Sequence, residues 1–132
     1  METIILYDKP ECPFCCKVRL ALAETGLPLK IIHYQAAGAE QVCRTLTPNS
    51  TVPVLQHGNT VIYESSIILE YIADLSGQLL PQQASQRVLP RQLQRYSDMS
   101  IGVGLREVIF EKRGKPASEW NQPRILEGTD KF

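Results

Sequence analysis

The chain has 132 residues, with 14 basic and 14 acidic side chains and a formal net charge of zero. That length suits one domain, or one domain and part of another, and an apolar fraction of 43% is ordinary for a globular protein that buries a core without disulfide staples. No basic footprint points to nucleic acid, no run of about 18 apolar residues points to a membrane-spanning helix, and the short N-terminal stretch with Glu2 lacks the form of a signal peptide.

Residues 3–7 are apolar and β-branched and read as a buried strand, with a loop over 8–11 containing Pro10. A helix follows, with Cys12 at the N-cap, Pro13 at the first helical position, Val18, Ala21 and Leu22 inward, and Gly26 as the C-cap. Residues 29–33 are a second strand and 39–46 a short helix. Strands over 52–56 and 61–63 flank His57-Gly58-Asn59-Thr60 as a hairpin. Residues 65–75 are the clearest helix, closed by Gly77, with Ile67, Ile68, Tyr71, Ile72 and Leu75 on one face.

Residues 78–85 are polar, hold Pro81 and read as a linker. Residues 86–113 read as one long helix, with Leu89, Leu93, Tyr96 and Val103 on one stripe. Gly102 and Gly104 weaken it by about 1 kcal/mol each relative to alanine. The cluster Lys112, Arg113 and Lys115 reads as a solvated helix end. After a loop over 114–122, Ile125, Leu126 and Phe132 mark the start of a further amphipathic helix.

A cytoplasmic setting is expected, and there four reduced cysteines serve catalysis, redox cycling or metal binding rather than a disulfide scaffold. Cys12-Pro13-Phe14-Cys15 is the strongest chemical feature. A helix N-terminus favours the thiolate, because backbone N–H groups and the positive end of the dipole face it. Cys15, one turn on, is placed to attack a mixed disulfide on Cys12. Cys16 points about 100° away around the helix. The alternative is half of a zinc site, but Cys16, Cys43, His33 and His57 form no second pair of matching spacing, so no metal is expected.

Thr51-Val52-Pro53-Val54 has two readings. On the dipeptide alone a trans loop proline is the commoner form, since cis forms are about 5–6% of X–Pro bonds. A cis bond instead turns the Val52 N–H and C=O outward to pair with an extended peptide. Glu64-Ser65-Ser66 also has two. Ser65 or Ser66 caps the following helix. Alternatively its first N–H groups and the Ser65 hydroxyl hold a ligand carboxylate, with Glu64 on the ammonium.

Taken in order, the run Cys12-Pro13-Phe14-Cys15, Thr51-Val52-Pro53-Val54-Leu55 and Tyr63-Glu64-Ser65-Ser66-Ile67-Ile68-Leu69-Glu70-Tyr71, followed by Leu79-Leu80-Pro81, resembles the N-terminal domain of glutathione transferases. The cysteine start resembles the omega-type and glutaredoxin-like members. The resemblance implies an α/β fold: a thioredoxin-like βαβαββα domain over 1–80, then a partial all-α domain over 86–132, truncated inside its second helix. It implies a cis Val52–Pro53 bond, Cys12 and Cys15 as catalytic residues, and Pro13, Phe14, Val52, Pro53, Glu64 and Ser65 as glutathione-binding residues. Glutathione is then the substrate, and a small-molecule or protein thiol or disulfide the acceptor. Where many members carry a basic residue before Val-Pro, this chain has Thr51, with Arg44 as the nearest substitute.

The implied activity is thiol transfer through a Cys12–glutathione mixed disulfide, with conjugation to electrophiles as the lesser enzymatic option. A non-enzymatic binding or regulatory module, similar to the stringent starvation proteins, is the alternative. The resemblance also implies a homodimer centred on helix 86–113. The tail beyond Gly114 is then poorly ordered or packed on the partner, with Ile125, Leu126 and Phe132 otherwise facing water.

Overall fold

The structure is a computed structural model that describes residues 2–131. Phe132, one of the residues assigned to the last helix, lies outside them. The chain divides into two compact units, one ending at Leu80 and the other beginning at Pro81.

The first unit runs β1 (Ile4–Asp8), α1 (Pro13–Thr25), β2 (Leu29–His33), α2 (Ala39–Leu46), β3 (Val54–His57), β4 (Thr60–Tyr63) and α3 (Ser65–Ser76). This is the βαβαββα order expected. The sheet order is β2-β1-β3-β4, with β2 parallel to β1 and the last two pairings antiparallel. The helical crossover α1 permits the parallel pair β1–β2, and a tight turn joins the antiparallel pair β3–β4.

Strand alternation sorts the core. Ile4 and Leu6 on β1 pack with Val18, Leu22, Leu55, Ile68 and Ile72, so α1 and α3 share one face of the sheet. Tyr7 and Val54 pack with Ala39 and Cys43 of α2 in a second cluster.

The local signals placed α1 well. Cys12 is its N-cap, Pro13 opens it, and Gly26 closes it at φ 65°, a left-handed conformation that a side chain disfavours. Three details differ from the sequence reading. Asp8 belongs to β1 rather than to the loop, paired with His33 on β2. Val52 and Pro53 precede β3 rather than lying in it. The hairpin ladder continues to His57 opposite Thr60, so the turn is only Gly58-Asn59.

In the second unit the predicted single helix is α4 (Ala84–Tyr96) and α5 (Gly102–Lys112), joined by a π-helical stretch, Ser97–Ile101. The wide turn carries the Ser97 carbonyl oxygen to 2.8 Å from where a Cβ on residue 102 would sit, so glycine is required there. Leu89, Leu93 and Tyr96 do share a stripe, but it faces solvent, and α4 buries no residue among those described.

After a short 3-10 turn, Ala117–Glu119, helix α6 (Gln122–Asp130) packs against α5. Asn121 caps it, accepting the Arg124 N–H at 3.1 Å. The tail is therefore not loose. It folds back on its own chain, with Ile125 buried and Leu126 alone of the pair exposed. The reason is the close α5–α6 approach that two glycines allow, Gly104 and Gly128. Among the described residues, no helix is long and apolar enough to cross a membrane.

Candidate functional site

Cys12 stands at the N-cap of α1 with extended backbone, φ −85° and ψ 119°, and its carbonyl accepts the Cys16 N–H at 2.9 Å. Cys12 is 9% exposed, and its sulfur lies 3.9 Å from the Val52 carbonyl oxygen, the acceptor of its S–H. The Val52–Pro53 bond is cis. Two motifs far apart in sequence thus meet at one sulfur.

Cys15 lies one turn further in and is fully buried. Its thiol is pushed far above the ordinary range, first by a hydrogen bond with Cys12 and then by burial. In its thiol form Cys15 is a hydrogen-bond donor beside the Cys12 sulfur. Cys16 is exposed, as its helical angle requires. Cys43 is sealed in the core on the inner face of α2, and burial pushes its thiol up as well. All four cysteines are thiols, and only Cys12 sits at a helix N-terminus. Pro13 and Phe14 are half-buried on the first turn, with the Lys17 ammonium 5.7 Å from the Phe14 ring centroid.

Sheet register explains why the third motif opens at the same end. Tyr7 pairs with Val54, and Val54 with Tyr63. The loop after β1, the segment before β3 and the residue after β4 therefore leave the sheet at one end of its strands. They carry Cys12, Val52-Pro53 and Glu64 respectively.

Glu64 is the N-cap of α3, at φ 68° and ψ 113°, an uncommon region for a residue with a side chain. Its carbonyl accepts the Ile67 and Ile68 N–H groups at 3.0 Å, and its side chain does not cap the helix. Ser65 is the first helical residue and is 6% exposed. The reading of Ser65 or Ser66 as a side-chain cap is thus not realised: both lie inside the helix, past the N-cap position. What remains is a helix N-terminus with an adjacent carboxylate and hydroxyl, a set suited to an amino acid zwitterion.

Arg44 is bound to Glu40 within α2, at 2.6 Å, while Thr51 is exposed. Among the described residues, no group of three or more His, Cys, Asp or Glu is placed to hold a metal.

Sequence reasoning missed Asp8 and Arg19. Asp8 is 1% exposed, and Arg19 forms an ion pair with it from α1. The available signal was spacing: Arg19 follows Cys15 at i+4 and so shares its helix face, toward the end of β1.

The profile described as glutathione S-transferase, N-terminal domain, matches residues 6–79. The chain is 27% identical over 118 residues to glutathione S-transferase U1 of Arabidopsis thaliana, covering 86% of this chain and 53% of that one. It is 32% identical over 105 residues to a glutathione S-transferase of Pseudomonas putida, covering 75% and 47%. The chain thus spans about half the length of the curated relatives it matches. Among solved structures, its fold is similar to the theta class glutathione S-transferase of Xanthomonas axonopodis pv. citri with glutathione bound. That match has TM-score 0.85 and 23% identity, over 99% of this chain and 66% of that one. It is also similar to a glutathione transferase family member from Pseudomonas fluorescens with two glutathione bound, with TM-score 0.79 and 25% identity, over 98% and 61%.

Proposed function

The chain belongs to the glutathione S-transferase family, and from that membership we propose that it binds glutathione and transfers thiols through Cys12. The observation that carries the reading is Cys12 at the N-cap of α1, with Cys15 as a hydrogen-bond partner one turn further in. A helix N-terminus and a neighbouring donor both favour sulfur in its thiolate form.

Glutathione is read as an added strand along Val52, its cysteinyl amide pairing with the Val52 backbone. Its γ-glutamyl end lies at α3, with the carboxylate at the helix N-terminus and Ser65, and the ammonium on Glu64. Pro13, Phe14 and Pro53 supply the apolar walls. The Cys12 thiolate attacks the glutathionyl sulfur of a mixed disulfide. A Cys12–glutathione disulfide forms, and the acceptor leaves as thiolate and takes a proton from water. A second glutathione, as thiolate, attacks the bound glutathionyl sulfur. Oxidised glutathione leaves and the Cys12 thiolate is restored. A reducing, cytoplasmic setting supplies that second glutathione.

The test is intact mass after incubation with oxidised glutathione. One added glutathionyl group on the wild type, absent in Cys12→Ser, is the expected result. A label on Cys16 or Cys43, or a Cys12 that titrates near the ordinary value of about 8.5 and takes no adduct, would sink the thiol-transfer reading. The second of these outcomes would leave a binding module.

The same reading includes a symmetric homodimer. Leu89, Leu93 and Tyr96 form an exposed apolar row along α4, and monomers seldom leave large apolar patches in water. Sedimentation at micromolar concentration tests it, and a clean monomer would overturn it.

A further inference from the structure

The thiol reading of Cys12 leaves one buried charge without a task. Asp8 ends β1 at 1% exposure, directly before the loop that leads to Cys12. A buried carboxylate requires partners. Asp8 has Arg19 on one oxygen and, from β2, the His33 Nδ1 at 3.9 Å from the other.

Neutralising Asp8 would need only a cation. Arg19 does more. Its Nη1 also donates to the Lys9 carbonyl at 3.4 Å, and its Nη2 to the Pro10 carbonyl at 3.2 Å. One guanidinium therefore gathers acceptors from three consecutive residues, Asp8, Lys9 and Pro10. The Lys9 carbonyl at the same time accepts the Cys12 N–H at 3.0 Å. The link between β1 and the reactive sulfur is thus held from α1 through Arg19 and closed on Cys12 itself. A planar fork with fixed donors can do this, and a lysine point charge cannot.

We propose that Arg19 is a positioning residue for the Cys12 thiol, holding the end of β1 and the loop after it, residues 8–10, in the form that keeps Cys12 at the N-cap of α1 against the Val52 carbonyl. The inference rests on Cys12 being the working thiol. The charged and titratable groups around Arg19 and this segment include Asp8 on β1, His33 on β2, and Cys15 and Cys16 on α1. Cys15 senses both ends of the arrangement: its proton is held mainly by the hydrogen bond with Cys12 and by burial, against a hydrogen bond from the Lys9 backbone that favours the thiolate, and in smaller part by the negative charge of Asp8. A loop that drifts changes the distance between Cys12 and the donor that favours its thiolate.

The experiment is the pH profile of iodoacetamide alkylation on the full chain, read peptide by peptide by mass. It compares wild type, Arg19→Lys, and the double variant Asp8→Asn/Arg19→Met. Arg19→Lys keeps a cation at Asp8 but loses the fork. The double variant loses the fork without leaving a buried charge unpaired. In both, the Cys12 midpoint is expected to rise by about one pH unit, which slows its alkylation about tenfold at any pH below both midpoints. The exposed Cys16 is read in the same digest; Arg19→Lys keeps a cation near it, so its profile is expected to move less than that of Cys12.

Variants that fold, by helical circular dichroism and a cooperative melt, yet superimpose on the wild-type Cys12 profile would overturn the proposal. Arg19 would then be only the counter-ion of Asp8. Should Arg19→Lys fail to fold, the double variant decides alone. Alkylation needs no glutathione, so a wild type that takes up no glutathionyl group defeats the parent reading while this comparison still stands or falls by itself.

Discussion

The Cβ that Gly104 lacks would stand 2.5 Å from the carbonyl oxygen of Gly128, and the Cβ that Gly128 lacks would stand 2.9 Å from that of Gly104. The two helices α5 and α6 meet backbone to backbone at this crossing. Alanine at either position would raise intrinsic helix propensity by about 1 kcal/mol. Overpacking against a carbonyl that cannot rotate away costs about 1–3 kcal/mol. Gly104→Ala and Gly128→Ala are therefore expected to lower the melting temperature and to speed amide exchange in α6. Because they share one contact, the double variant should lose less than the two losses added together. A melting temperature that rises in either single variant would show the crossing to be looser than described.

Acid should loosen this same pair of helices first. Glu111 is 3% exposed, accepts the Lys115 ammonium at 2.8 Å and the Asn121 N–H at 2.9 Å, and lies 3.6 Å from the Arg124 guanidinium. Its carboxyl is held below the ordinary range, first by the Lys115 hydrogen bond and then by the Asn121 N–H. Glu107 is lowered likewise by its hydrogen bond to Arg124. A carboxyl whose folded pKa is depressed contributes stability that is present above the unfolded value, about 4.3, and is lost as pH falls through the folded one. Amide exchange of the segment from Asn121 through α6 should therefore accelerate below the carboxylate range, ahead of the sheet. Glu111→Gln should flatten that dependence. An unchanged acid profile in this variant would remove Glu111 from the account.

Cys15 offers a chemical contrast. Its buried, strongly protonated thiol is a poor attacking group at neutral pH. Cys15→Ser is therefore expected to keep most of the turnover with glutathione as the resolving thiol. Serine also keeps a hydroxyl donor facing Cys12, whereas alanine does not. Cys15→Ala should raise the alkylation midpoint of Cys12 above that of Cys15→Ser. Ready formation of a Cys12–Cys15 disulfide under mild oxidant, with a large loss of turnover in Cys15→Ser, would instead favour the dithiol route.

Glu64 separates stability from binding. Its φ of 68° suits glycine, and its side chain caps nothing. Glu64→Gly relieves a backbone conformation that costs about 1–3 kcal/mol, offset in part by the freedom glycine gains when unfolded. The melting temperature should hold or rise. Glutathione affinity should fall, since a lost charge-assisted hydrogen bond costs about 1.5–3 kcal/mol. Ser65→Ala should weaken binding in the same direction. Calorimetric titration with glutathione reads both, and unchanged affinity in both would detach this motif from the ligand.

What the amino-acid order determined by itself is the local structure of the first unit. Pro13 opening a helix and Gly26 closing it are one-residue signals with one-residue causes, and the predicted bounds of β2 and α2 coincide with those observed. The three site motifs were also legible, because each is a short contiguous run. Their placement at one end of the sheet was implied by the family resemblance and not by the runs themselves. It depends on the register Tyr7–Val54–Tyr63, set by hairpin pairing across strands. Only the tertiary structure brought Arg19 to Asp8, put Gly104 against Gly128, and turned the stripe of Leu89, Leu93 and Tyr96 toward solvent. Periodicity along a helix shows that one face is apolar, but which neighbour that face meets is decided by contacts distant in sequence. A glycine that lowers helix propensity locally can, at such a contact, be what lets two backbones approach.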